Sequence, residues 1–154
     1  MADQIEGVWV KDLKAIPDER GRLMEILRSD DEGFEKFGQV YISTTLPGVV
    51  KGWHLHRRQH DYICCVKGMV KVALFDPREG SATHGLVNDH FIGDHNLKLL
   101  RIPAGIYHGW KCISPEEAIV VNVPTETYNP EAPDEHRLPW DTPDIPYRWD
   151  IAFQ

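Results

Sequence analysis

The stretch Lys51 to Gly68, KGWHLHRRQHDYICCVKG, decides how the rest of the chain is read. It sets three histidines, a glutamine and an aspartate within eight residues and then runs into an apolar segment closed by Lys67-Gly68. In an extended segment, side chains alternate between faces, so His54 and His56 point one way while Trp53, Leu55 and Arg57 point the other. Two imidazoles then enter one cavity together. A His-x-His pair alone fits an exposed strand end equally well, so the decision rests on the remainder of the chain.

Outward from that stretch, turn residues recur at short intervals between apolar runs and helical periodicity is scarce, the pattern of an all-β sandwich or barrel. Extended segments are expected at Val8–Leu13, Leu23–Leu27, Gln39–Thr45, Tyr62–Val66, Met69–Phe75, Leu86–Ile92, Leu97–Ile102 and Ala118–Val123. Tyr62–Val66 and Met69–Phe75 read as a hairpin about Lys67-Gly68. Ser29–Phe37 is the best helix candidate: Ser29 can cap it, and Asp30, Asp31 and Glu32 suit the positive end of a helix dipole. Gly33 limits it to one or two turns. Ile102-Pro103-Ala104-Gly105 makes a sharp bend that delivers Tyr107-His108-Gly109-Trp110, the second histidine-bearing segment. From Pro124 proline recurs every few residues, so 124–154 reads as a tail wrapped on one domain spanning 1–154.

Bulk properties narrow the function classes. At 154 residues the chain can bury one ordinary core. No apolar run approaches the roughly 20 residues of a membrane helix, so no membrane partner is expected. The start, MADQIEGVWVKDL, lacks a basic segment followed by an apolar one, and the expected location is the cytoplasm. A net charge of −7 argues against a nucleic-acid partner while leaving room for a local basic pocket. The three cysteines, Cys64, Cys65 and Cys112, form neither a disulfide framework nor a spaced zinc motif and read as buried thiols.

Two segments match a fold pattern. The run His54-x-His56, four residues, Asp61, six residues, Gly68 resembles the first cupin motif, with Asp61 where cupins usually carry glutamate, and Pro103-x-Gly105-x-x-His108 resembles the core of the second. The fold so implied is a cupin-type jelly-roll barrel, all-β with a few short helical turns, with both segments at its mouth. A wider likeness runs in order through Asp18–Glu25, Gly48–His54, Asp76–Gly85, Ile102–Trp110 and Tyr128–Glu131. These pieces resemble the dTDP-4-dehydrorhamnose 3,5-epimerase family of cupins.

That resemblance implies an enzyme that takes a proton from the carbon beside a sugar ketone and returns one to the opposite face. By position His54 is the base, Asp141 its orienting carboxylate, and His108 lines the same cavity. Arg20, Glu25 and Gln39 lie around the nucleotide or sugar, and Lys51 stands where the family has an arginine that meets the diphosphate. Beyond Lys51, three positions depart from the family. Asp141, beside Trp140, matches the family aspartate only if one residue is deleted. Asn122 falls where a tyrosine donates the proton, and Asp61 where a lysine would stabilise an enolate. Tyr107 or Tyr128 is then the expected replacement acid, and His56 and Asp61 reshape the sugar pocket. The implied partners are a nucleotide-sugar substrate and a second copy of the chain in a homodimer, with no cofactor. Two alternatives remain open: a metal-binding cupin with a divalent ion on His54, His56, Asp61 and His108, and a non-catalytic sugar-nucleotide-binding homologue.

Overall fold

The computed structural model describes residues 4–152. Among them twelve strands form and no helix: β1 (Trp9–Asp12), β2 (Ala15–Asp18), β3 (Gly21–Met24), β4 (Tyr41–Thr45), β5 (Val50–Leu55), β6 (Asp61–Lys67), β7 (Met69–Phe75), β8 (Val87–Gly93), β9 (Lys98–Ile102), β10 (Tyr107–Cys112), β11 (Ala118–Asn122) and β12 (His136–Arg137). Two five-stranded antiparallel sheets, ordered β1-β9-β6-β11-β4 and β12-β5-β10-β7-β8, face each other as a jelly roll, and β2-β3 form a separate ribbon. The expected fold class is the one observed.

The alternation of side chains builds the layers. On β6, Ile63 and Cys65 turn inward to join Leu100, Ile102, Val120, Val70, Val72, Leu74, Ile92 and Trp110 in the main core between the sheets. Tyr62 and Cys64, one residue out of phase, pack outward with Leu99 and Leu13 under the segment that carries Ile26 and Leu27. On the outer face of the other sheet, Trp53 and Ala73 are covered by Ile145 and Trp149 of the proline-rich tail. Each buried aromatic or branched side chain contributes about 1.5–3 kcal/mol, so β6 is anchored from both faces. Asp61 lies on the inward face of the same strand, where the core gives way to polar groups at one end of the barrel.

Two local expectations are corrected. Ser29–Phe37 forms isolated turns, closed by Asp31 N to Arg28 O (3.2 Å) and Phe34 N to Asp31 O (3.0 Å). Gly33 lies flat against the Trp9 ring, where any Cβ would sit 2.3 Å from a ring carbon, so tertiary packing outweighs the capping signal. Likewise β6 and β7 do not form a hairpin. β6 pairs with β9 and β11, β7 with β8 and β10, and Lys67-Gly68 is the corner where the chain crosses between sheets. Gly68 makes that corner with φ +76°, a left-handed conformation that costs a side-chain-bearing residue, and its N–H is held by Asp94 Oδ2 at 2.8 Å.

Candidate active site

Register brings the site together. His108 on β10 pairs directly with His54 on β5, and Asn122 on β11 pairs with Tyr41 on β4. The first pair enters the barrel mouth from one sheet and the second from the other. Asp61, on β6 beside β11, completes the floor.

Asp61 is 1% exposed and fully engaged. Its Oδ1 accepts from Gln59 Nε2 (2.7 Å) and Asn122 Nδ2 (3.1 Å). Its Oδ2 faces His56 Nε2 at 3.2 Å and His108 Nε2 at 3.3 Å. Burial works to raise its pKa, but the hydrogen bonds and charge of His108 and His56 outweigh it and hold the carboxyl well below the ordinary range. His56 shows the converse: burial opposes its charge, the Asp61 carboxylate outweighs that penalty, and the pKa is raised. Each ring turns its other nitrogen to a backbone carbonyl, His56 Nδ1 to Asp134 and His108 Nδ1 to Ile106 at 3.2 Å. Both Nδ1 atoms therefore carry hydrogen, and each Nε2 meets the Asp61 oxygen favourably only with a proton or a cation between them.

His54 stands apart from this cluster. Its ring centroid lies 6.1 Å from that of His108, and its Nε2 is 3.8 Å from Glu135 Oε1. Burial first, and the neighbouring His108 second, push its pKa down to about 4, with Glu135 opposing. A neutral imidazole at neutral pH is the form that can accept a proton. His54 borders a cleft of about 290 Å³ with Lys51, Gly52, Leu138 and Trp140. Beside it lies a larger cavity of about 730 Å³ lined by Gln39, Tyr41, His56, Gln59, Tyr128 and Glu135 among others, and Arg137 borders both.

The predicted residues divide accordingly. His54, His56, Asp61, His108, Asn122, Gln39 and Lys51 gather at the barrel mouth, Lys51 with its Nζ on Ser43 Oγ at 2.7 Å. Arg20 and Glu25 do not join them within one chain. Arg20 is exposed at the tip of the β2-β3 ribbon and pairs with Asp18, and Glu25 pairs with Arg28. Asp141 is exposed, with no hydrogen bond or ion pair to His54 among the described residues. The carboxylate facing His54 is Glu135. Tyr107 belongs to the outer cluster with Trp53 and Ala73, because it alternates with the inward His108. His60 is half-buried and bonded through Nδ1 to Arg101 Nη2 at 2.8 Å.

Sequence reasoning passed over Tyr41, Gln59, Asp134, Glu135 and Arg137. The last three sit in the tail, where β12 pairs with β5 and Asp134 accepts backbone N–H bonds from Arg57, Arg58 and Gln59 (2.9, 2.9 and 3.1 Å). Four titratable residues in a row, Asp134-Glu135-His136-Arg137, bounded by prolines, were the available signal.

Of the four candidate metal ligands, three meet: His56, Asp61 and His108 have donor atoms within 4.8 Å of one another. This donor set suits a divalent ion, whereas His54 Nε2 is directed to Glu135.

Comparison with known proteins matches this geometry to a family. The sequence model for dTDP-4-dehydrorhamnose 3,5-epimerase matches residues 2–154. The probable low-salt glycan biosynthesis epimerase Agl13 of Haloferax volcanii is 43% identical over 151 residues, covering 97% of each chain. The spore coat polysaccharide biosynthesis protein SpsL of Bacillus subtilis is 38% identical over 97% of this chain and 99% of its own. The crystal structure of a dTDP sugar isomerase from Desulfovibrio desulfuricans G20 superposes with a TM-score of 0.89 at 33% identity, covering 94% of this chain and 92% of that one. From the motifs, the jelly roll and the full-length match together, the chain belongs to the dTDP-4-dehydrorhamnose 3,5-epimerase family of sugar epimerases.

Proposed function

We propose that this chain epimerises or isomerises a nucleotide-linked 4-keto-6-deoxy sugar in deoxysugar or surface-polysaccharide biosynthesis, with His54 removing the proton beside the ketone. The observation that carries the reading is a largely buried imidazole whose pKa is pushed down to about 4, beside a polar cavity of about 730 Å³, a size that suits a nucleotide sugar. The ketone supplies the carbon acidity, so the chemistry calls for a base, an acid and stabilisation of an enolate. It needs no cofactor, which fits the family. The cationic His56, anchored on Asp61, supplies positive charge where the family lysine is absent. Glu135 takes the part expected of Asp141, orienting His54 and supporting the imidazolium as it forms.

The proposed setting is the cytoplasm, a reading that three free buried cysteines support. The active form is a homodimer. Pairing of two copies along exposed edges covers Ile16 and Leu23 of the β2-β3 ribbon, 54% and 60% exposed, and gives Arg20 and Glu25 a route to the second copy's cavity.

Solvent exchange tests the lead reading. In deuterium oxide with dTDP-4-keto-6-deoxyglucose, the protein incorporates deuterium beside the ketone, and His54→Ala lowers that rate by about 100-fold or more. Undiminished exchange in His54→Ala would remove His54 as the base.

One observation favours a second reading, a divalent ion on His56, Asp61 and His108. The 3.2 and 3.3 Å separations are long for charge-assisted hydrogen bonds, at about 2.7–2.9 Å. They match the roughly 3.3 Å edge of a tetrahedral site with metal–ligand bonds of about 2.0–2.1 Å. Such an ion would supply Lewis-acid stabilisation of an enolate oxygen. Elemental analysis of untagged protein decides it: stoichiometric metal lost in His56→Ala and Asp61→Ala supports the site, and metal-free active protein rules it out.

A further inference from the structure

We propose that Tyr41 is the proton donor of this site, delivering the proton from the sheet opposite His54. The inference rests on the epimerase reading and concerns the half of the reaction that His54 cannot perform. Inversion at carbon requires a proton to leave one face of the ring and another to arrive on the other, so the acid must approach the substrate from the side opposite the base. His54 borders the smaller cleft and Tyr41 the larger cavity beside it, with Arg137 common to both. His54 rises from β5 in one sheet, and Tyr41 from β4 at the edge of the other.

The hydrogen-bond inventory distinguishes Tyr41 from its competitors. Its oxygen accepts from Asn122 Nδ2 at 2.9 Å, and no described residue accepts its hydroxyl hydrogen, which leaves that hydrogen free for a ligand in the cavity Tyr41 lines. The Nε2 atoms of His56 and His108 are directed at Asp61. Tyr107 packs on the outer face of its sheet. Tyr128 also lines the cavity but is 60% exposed and makes no hydrogen bond among the described residues, so nothing fixes its ring.

The setting suits the role on both sides of the transfer. Tyr41 is 43% exposed, but desolvation around its hydroxyl, and then the Asp61 carboxylate, raise the phenol's pKa further above neutral, while the Asn122 amide works in the opposite direction. That amide donates to the oxygen that becomes phenolate once the proton has gone. Asn122 is itself held by Asp61 Oδ1 at 3.1 Å, so the buried aspartate fixes the orientation of the acid. Asn122 occupies the position at which the family resemblance placed a tyrosine, and its direct partner across the strand pair is Tyr41. The phenol therefore reaches the same end of the barrel from the neighbouring strand.

The bonds balance. The carbon–hydrogen bond beside the ketone breaks as the His54 ring nitrogen that is not directed at Glu135 takes the proton, and its electron pair moves into the enolate. The enolate carbon then takes the Tyr41 hydroxyl proton on its other face, leaving phenolate. Solvent reprotonates the phenolate, and His54 releases its proton to solvent.

Tyr41→Phe in deuterium oxide with dTDP-4-keto-6-deoxyglucose separates the two halves. We expect epimer formation to fall by about 100-fold or more while deuterium still appears in the recovered, un-inverted substrate, because His54 continues to remove and return a proton on its own face. Retained dTDP binding and an unchanged circular dichroism spectrum establish that the variant is folded. Placing 3,5-difluorotyrosine at position 41 provides a second reading: its more acidic phenol moves the alkaline limb of the rate profile to lower pH. Epimerisation within about threefold of the unsubstituted protein, equal loss of exchange and inversion, or an unmoved alkaline limb with the fluorinated residue overturns the assignment. No exchange in the unsubstituted protein overturns the epimerase reading as well, which distinguishes the two failures.

Discussion

The chemistry of this site turns on which carboxylate serves which histidine: Glu135 faces His54, and Asp61 holds His56 and His108. His54, His56, Asp61 and His108 were legible because strand alternation and two short motifs place them on inward faces. The family resemblance points to Asp141 by its position in the chain, whereas the carboxylate that reaches His54 is Glu135, brought in by the pairing of β12 with β5. Proximity through a strand pair leaves no local mark in a sequence. The assignment makes a prediction at this scale. Glu135 raises the basicity of His54 against burial and His108, so Glu135→Gln lowers it further and slows proton removal by roughly tenfold, about one pKa unit of lost interaction. Asp141→Asn leaves the rate within about twofold. A base must be neutral to act, and this one gains its proton only near pH 4. The profile of kcat/KM therefore stays flat down to about pH 5 and falls below it, and in Glu135→Gln its acid limb moves to still lower pH. A limb near the ordinary histidine value of 6.5 would contradict the assignment.

Strands were easier to read than the connections between them. Met69–Phe75 follows from its run of branched and apolar residues alone, but its partner does not. Lys67-Gly68 offers a hairpin signal that is satisfied by a sheet-crossing corner, because β6 is anchored by Tyr62 and Cys64 outside and Ile63 and Cys65 inside, on a sheet to which β7 does not belong. Local turn chemistry allows both outcomes, and only burial on both faces of β6 selects one. The loop from Arg57 to Gln59 shows the same dependence on a distant element. Its three N–H groups converge on the Asp134 carboxylate, a cap supplied from far along the chain. Removing it in Asp134→Ala costs about 2 kcal/mol, the scale of hydrogen bonds to a charged acceptor, read from urea unfolding at pH 7. Burial raises the Asp134 pKa, but the three N–H bonds outweigh it and hold it below the usual aspartate value. A depressed carboxylate contributes stability that is present above the unfolded pKa and lost as pH falls through the folded one. The deficit of the variant therefore narrows below about pH 4, and a deficit independent of pH would point to packing instead of charge.

At the scale of the whole molecule, the apolar surface left uncovered is the feature that a single chain does not explain. β4 is an edge strand, and around it Val40, Ile42 and Leu46 are 58%, 64% and 62% exposed, with Phe37 nearby in sequence at 62%. The alternation that turns Tyr41 and Ser43 toward the barrel mouth turns Ile42 outward, so the same strand supplies both the site and a bare face. An unpaired apolar edge invites strand pairing, and a second copy of the chain satisfies it with closed twofold symmetry. Sedimentation equilibrium is therefore expected to give twice the 17.7 kDa of one chain. A carboxylate at the centre of that contact, Ile42→Asp, weakens association by about 2 kcal/mol or more, roughly 30-fold. Because Tyr41 adjoins Ile42, and in the proposed dimer Arg20 approaches the second copy's cavity, loss of the dimer is also expected to raise KM for the nucleotide sugar. The variant then binds more weakly at low protein concentration and recovers as concentration rises. A stable monomer with full affinity would show that one chain forms the whole site, and would leave Arg20 and Glu25 without a part in it.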